Sequence, residues 1–542
     1  MVIPHRRRRR NAVAICLLAI LGLVAAACSG KSPNDGAAAG TNAGTATPGS
    51  ATSGEHVLRL AFAADMDPPD PDTNYQLQGN QVTTALYEGL LDYAPDSTNQ
   101  LVGLLAESWT VSPDGLTYTF TLRDGLKFSD GTPLTSESLR AGFDRRTAAD
   151  VKSPMSYMLL PVAGYDTPDA TTFVIHLSHP ESAFLTYLAS PFSPKAINPS
   201  VLQANAADDA IEYLKTHSAG TGPYEISEFV LGQRYVLTRN ENYWGPKPYY
   251  DKVQISIVPD PAAQILQLQG GDLDIVTGQP VATMKTFEGR KDFQVIKLPV
   301  LQKAWLHINT GRAPTDDVAV RQAIRAAIDR PKLVQQIWGD YATESTQMYP
   351  VDNLPAGMGT DSWTYDPSLL KAMKIGTIEI GYSPSLPVSQ QVAETLQAQL
   401  EAAGASVQLR PVQDADLFSF QTAPDTAPHL YFETSYPDSA HPDTWSRLFW
   451  YSDVASGNGG FLNYLGAGTP DADTAMDDGL VAIDQSTVDA DYGRSADLVH
   501  DQVGYVTLAD PADAFIVRAG ITGFSHWLPT PMTLQLKTLQ GG

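Results

Sequence analysis

Between residues 104 and 146 the chain reads LLAESWTVSPDGLTYTFTLRDGLKFSDGTPLTSESLRAGFDRR, and few folds accommodate that order. Leu116, Tyr118, Phe120 and Leu122 alternate with threonines, a period of two that places one face of a strand on a core and the other toward water. Ser112-Pro113-Asp114-Gly115 supplies turn chemistry before it: proline presets φ, aspartate bonds back to the backbone and glycine accepts positive φ. Residues 109–111 are therefore expected to pair with this strand as a hairpin. Two further turns, at Asp124-Gly125 and Asp130-Gly131, frame a short strand expected at 126–128. Thr135 can then cap a helix over 136–146, with Glu137 in its positive first turn.

This succession of strands, turns and a capped helix resembles the signature of the family 5 extracytoplasmic solute-binding proteins of peptide-type ABC importers. More of the chain carries the same resemblance: Tyr87-Glu88-Gly89-Leu90-Leu91, Gly220-Thr221-Gly222-Pro223-Tyr224, Asn242-Tyr243-Trp244-Gly245, and VRQAIRAAIDR over 320–330. It covers about 56–531. It implies an α/β, two-lobed periplasmic-binding-protein fold of type II, in the large peptide-binding class, with an extra subdomain in lobe I.

The chain is strongly acidic. The formal net charge is −24, and five of the 36 basic residues are Arg6 to Arg10, in a segment expected to be removed. An acidic surface repels nucleic acid and anionic lipid, so nucleic acid is excluded as a partner. The arginine run precedes an apolar stretch over 12–27, shorter than the ~20 residues a spanning helix needs. Ala25-Ala26-Ala27-Cys28 then resembles a lipobox, implying acylation of Cys28 and an anchor in the cell membrane without a spanning helix. Cys16 would leave with the leader, so no disulfide is expected. Residues 28–54 are rich in Gly, Ala, Ser and Thr and read as a tether. Gly30-Lys31-Ser32 imitates a phosphate loop, but alanine stands where its first glycine is required.

The remaining boundaries follow from the same reading: 1–27 leader, 55–304 lobe I with its extra subdomain at about 92–218, 305–510 lobe II, and 511–542 a return to lobe I. Lobe I opens with a strand at 56–63, the Asp70-Pro71 turn, and a helix expected at about 81–91. Val320, Ala323, Ile324, Ala327 and Ile328 recur at helical spacing over 317–328, and that helix is expected to continue through 329–339. Strand 375–382, helix 388–403 and strand 407–411 form a βαβ unit, which implies parallel pairing in lobe II. The chain leaves lobe I once and returns once, so the crossings make a hinge and the lobes a closable cleft.

Candidate ligand contacts come from the resemblance. The loop after Asp70-Pro71 faces the cleft in relatives, which implicates Tyr75, Gln76 and Leu77. The segment HLYFETSYPDSAHPDTW, 429–445, corresponds to a strand end whose aspartate pairs with a peptide α-ammonium. Aligned on Phe432 and Tyr436-Pro437-Asp438 that position is Ser435; aligned on Pro442-Asp443 it is Asp438. Asp438 is preferred, with Glu433 as second choice, because serine can only hydrogen-bond an ammonium. Trp445 is expected to pack in the core. No metal site is expected, since His176 and His179 lie three apart on a strand and face opposite ways.

Motifs for catalysis are missing: there is no His-Glu-x-x-His, no Gly-x-Ser-x-Gly and no cysteine left as nucleophile. The chain is thus expected to be a monomeric, cofactor-free, lipid-anchored binding protein rather than an enzyme. It would capture a di- or oligopeptide and hand it to ABC permease subunits. A haem, a nickel complex or a sugar on the same fold is the alternative, as is a non-transporting regulator of envelope synthesis.

Overall fold

The computed structural model describes residues 54–541 except 96, 98–99 and 526–529. The expected leader, Cys28 and all but the last residue of the expected tether lie outside the described residues. Among those described, no helix is long and apolar enough to cross a membrane.

Strand Thr117–Leu122 buries Tyr118, Phe120 and Leu122 and turns its threonines outward, as alternation requires. It pairs antiparallel with Ala106–Val111, with Trp109 opposite Phe120 and Val111 opposite Tyr118. Thr172–Leu177 and Val162–Asp166 complete a four-stranded sheet. Helix Ser136–Thr147 follows Thr135, whose N–H donates to Ser138 Oγ at 3.1 Å. Phe143 from this helix meets Phe173 edge to face, 5.3 Å between ring centroids, over a core that includes Phe120. Each buried phenylalanine contributes about 1.5–3 kcal/mol. The strand expected at 126–128 is reduced to a single bridge, Lys127 to Pro133, because turns at Gly125 and Gly131, both at positive φ, leave no length for a ladder.

Lobe I is built on a seven-stranded sheet in the order Phe293–Leu298, Asp513–Arg518, Ile275–Thr277, Val57–Phe62, Lys252–Ile257, Arg234–Arg239, Tyr224–Val230. Lobe II is built on six strands, in the order Ala342–Glu344, Tyr505–Pro511, Lys303–Ile308, Leu430–Ser435, Thr377–Tyr382, Ser406–Pro411. Thr377–Tyr382 and Ser406–Pro411 run parallel, joined by helix Pro387–Ala402. Phe293–Leu298 pairs with Asp513–Arg518 in lobe I, and their continuations Lys303–Ile308 and Tyr505–Pro511 pair in lobe II. The hinge is therefore two short crossings that lie side by side, the second only Ala512 long between strands.

Two helices differ from expectation. The first spans Leu77–Leu86, four residues ahead of its expected start, with Gln76 at its N-cap and no side-chain cap. Tyr87 is extended at φ −131°, and Leu91, expected in the helix, begins strand Leu91–Tyr93. The second, Val318–Ala326, does not run on. Asp329 starts a new helix, Arg330–Ile337, by accepting the Lys332 N–H at 3.2 Å, with Pro331 in its first turn.

Candidate functional site

The loop after the Asp70-Pro71 turn is held by the helix that closes the opening signature. Arg145 donates Nη1 to Asp70 Oδ1 at 2.8 Å and Nη2 to Asp70 Oδ2 at 2.5 Å; Arg146 donates Nε to Asp72 Oδ1 at 2.7 Å. Arg146 also reaches the carbonyls of Phe192, Pro71 and Ser193. All four charged side chains are buried, so each charge is tolerable only because the others neutralise it. Tyr75 leaves this anchored turn with its ring against Phe192, centroids 4.9 Å apart.

From lobe II, the segment after strand Leu430–Ser435 crosses to the extra subdomain of lobe I. Ser190 Oγ donates to the Asp438 carbonyl at 2.5 Å, and the Ala440 N–H donates to Tyr93 Oη at 3.0 Å. Thr186 Oγ1 and Ser439 Oγ lie 3.2 Å apart. These contacts close the lobes over the Asp438 side chain. Tyr75 Oη donates to both carboxylate oxygens of Asp438, each at 2.7 Å, and Tyr157 Oη donates to Oδ2 at 2.6 Å. Both tyrosines belong to lobe I and Asp438 to lobe II, so one carboxylate joins the two lobes.

Asp438 is buried, and among the described residues no cationic side chain pairs with it. Burial pushes its carboxyl above the ordinary range, and the hydroxyls of Tyr157 and Tyr75 pull it back in part. Desolvation of the Tyr75 hydroxyl end, which faces Asp438 although 39% of the residue is exposed, and the Asp438 charge raise its phenol well above the usual value; burial and Asp438 do the same to Tyr157, so both tyrosines stay donors. An arrangement with two neutral donors and one unneutralised carboxylate suits a cation that enters from the cleft.

The other residues named from sequence separate around this point. Gln76 stands at the N-cap position, but its side chain turns away from the helix and accepts the Asp67 N–H at 3.0 Å through Oε1. Leu77 is the first, half-buried residue of the helix. Phe432 points into the lobe II core toward Trp338, with centroids 6.3 Å apart. Glu433 Oε2 lies 3.0 Å from His307 Nε2, and Trp305 Nε1 lies 2.9 Å from the same nitrogen. Ser435 ends its strand opposite Lys303. Trp445 is fully buried, 4.9 Å from Trp305 and 4.6 Å from Phe449. The structure thus brings Tyr75 and Asp438 together and leaves Phe432 apart. Tyr157 escaped the sequence reading: it sits in a short 3-10 turn, Pro154–Leu159, with no motif around it.

Residues 100–457 match the family model described as bacterial extracellular solute-binding proteins, family 5 Middle. The chain is 28% identical over 489 residues to the probable D,D-dipeptide-binding periplasmic protein DdpA of Escherichia coli K12, covering 86% of this chain and 91% of that one. It is 30% identical over 363 residues to the nickel-binding periplasmic protein of the same organism, covering 62% and 67%. The crystal structure of NikA from Brucella suis in complex with Fe(III)-EDTA superposes with a TM-score of 0.79 at 22% identity, over 90% of this chain and 100% of that one.

Proposed function

The chain belongs to family 5 of the bacterial extracellular solute-binding proteins, and from that premise we propose that it captures a di- or oligopeptide between its lobes and delivers it to the permease of an ABC importer. The observation that carries the peptide reading is Asp438: a buried carboxylate at the lobe interface, bonded by Tyr75 and Tyr157 and neutralised by no side chain among the described residues. A peptide α-ammonium supplies the missing charge and three donors of its own. In the closed cleft such a pair is shielded from water, which strengthens it. The peptide backbone and carboxylate would be bonded by the remaining cleft, leaving side chains to water-filled space.

In this reading Gln76 and Leu77 shape the loop that carries Tyr75, while Glu433 stays with His307 and Ser435 ends its strand opposite Lys303. Acylation at Cys28 would keep the monomeric receptor beside its permease on the outer face of the membrane. The similarity to the D,D-dipeptide-binding relative over 91% of its length supports the peptide over other solutes.

Native mass spectrometry of the purified protein tests this. A retained mass corresponding to short peptides is the expected result. A metal chelate or sugar mass in its place, or a tightly bound protein partner with no small ligand, would overturn it in favour of the other uses of this fold.

A further inference from the structure

Lobe closure buries a second carboxyl group besides Asp438. Glu181 lies on the lobe I loop after strand Thr172–Leu177, and its neighbour Ser182 seals the seam. The Ser182 N–H donates to the Leu480 carbonyl at 2.7 Å and Oγ to the Gly479 carbonyl at 2.9 Å. Those carbonyls lie in the last turn of the lobe II helix Pro470–Val481, where the Gly479 carbonyl also takes the Ala482 N–H at 3.4 Å.

Every element around Glu181 is neutral or negative on balance. From lobe I, Tyr187 Oη donates to Oε1 at 3.2 Å, and Tyr118 comes from the sheet behind. His179 Nδ1 is 3.9 Å from Oε2 but faces the Pro180 carbonyl at 3.0 Å, and with 39% of its side chain exposed it is screened by water. From lobe II, Arg447 is committed elsewhere: Nε bonds both Asp443 oxygens at 2.9 Å and Nη1 bonds Asp477 at 2.9 Å. Asp443 also accepts from Tyr492 at 2.8 Å, and burial holds His441 neutral, its pKa lowered to about 4. Asp443, Arg447 and Asp477 together carry one net negative charge toward Glu181.

We propose that lobe closure takes up protons at Glu181 and Asp438, so that the empty receptor stays open at alkaline pH and closes as the pH falls. A cationic ligand closes it at neutral pH by giving Asp438 the charge that a proton otherwise supplies. Burial first, and then Asp443, push Glu181 from 4.5 up to about 8, against the Tyr187 hydroxyl and Arg447. Burial likewise raises Asp438, opposed by Tyr157 and Tyr75. With the lobes apart both groups are solvated and titrate as ordinary carboxylates. The closed form therefore binds more protons than the open form between roughly pH 4.5 and 8, and its population falls as the pH rises through that window. Each proton changes the closing constant by up to about tenfold per pH unit, and the dependence flattens outside the window. The coupling needs only two lobes that open and close, which is the premise of the solute-binding reading; it does not need the ligand to be a peptide.

Small-angle X-ray scattering of the protein, stripped of ligand by partial unfolding and refolding, measures this from pH 5 to pH 9. The expected result is a radius of gyration that grows with pH in the wild type. Glu181→Gln, which keeps an acceptor for Tyr187, should weaken the response most near pH 8, and Glu181→Gln with Asp438→Asn should flatten the whole curve. A wild-type radius independent of pH overturns the proposal and requires no variant; an unaltered pH response in the double variant also overturns it. Closure that follows pH in a protein that binds no peptide would sink the peptide reading alone, and peptide binding with a pH-independent empty shape would do the reverse.

Discussion

Replacing Asp438 by asparagine separates its role in binding from any role in folding. The carboxylate accepts three short contacts from two tyrosine hydroxyls and, among the described residues, has no side-chain cation, so in the closed ligand-free protein its charge is a burden imposed by burial. Asparagine keeps the shape and one oxygen acceptor and removes that burden. The melting temperature of Asp438→Asn at pH 8 should therefore equal or exceed that of the wild type. With a peptide bound the balance inverts, because the buried ammonium would then face an amide dipole and two hydroxyls. Loss of one partner of a buried charge pair costs about 2–5 kcal/mol, or roughly 30-fold to a few thousand-fold in affinity. Isothermal titration calorimetry with dialanine at pH 7 reads this directly. Glu433→Gln serves as the companion: Glu433 lies beside His307, so its loss should change dialanine affinity by less than about threefold. Unchanged affinity in Asp438→Asn would refute the reasoning, and a loss confined to Glu433→Gln would move the ammonium to that residue.

Other expectations follow from the same geometry. Tyr157→Phe should weaken dialanine binding by about 1.5–3 kcal/mol, the range for a hydrogen bond to a charged group, with little change in melting temperature. Arg146→Met leaves Asp72 buried beside fewer donors and should lower the unfolding free energy by about 3–5 kcal/mol in urea titrations. Gly468→Ala should destabilise lobe II by about 1–3 kcal/mol or more, since a Cβ there would overlap the Trp450 carbonyl oxygen; an unchanged urea midpoint would contradict that packing.

What the sequence disclosed was whatever depends on near neighbours. The alternation from Leu116 to Leu122 specified a strand, its buried face and its hairpin partner without reference to the rest of the chain. The βαβ unit of lobe II was legible for the same reason. The helix Leu77–Leu86 was displaced because its N-cap, Gln76, offers no capping side chain and Gly79 interrupts the expected pattern. The apolar run at Leu90 and Leu91 then suggested a helix where packing draws out a strand. Helix 330–337 was merged with its predecessor because the apolar period continues across Asp329, and only the cap geometry reveals the break.

The site was legible in part. Resemblance led to Tyr75 and to the choice between Ser435 and Asp438, while the contact between Tyr75 and Asp438 spans 363 positions and has no local signal. Tyr157, Glu181 and Ser182 belong to turns and loops that no motif marks, and they acquire meaning only from the lobe II segments that dock on them. Phe432 shows the opposite failure: it lies next to site residues in sequence, but strand alternation sends its side chain into the core.

The central claim is that Asp438 receives a ligand's ammonium group at the junction of the lobes. Calorimetric titration of the wild-type protein with dialanine and with N-acetyl-dialanine at pH 7 tests it most directly. The account predicts binding of the free peptide and an affinity at least 30-fold lower for the acetylated one, which has lost the cation and kept the rest. Equal affinities for the two peptides would contradict it.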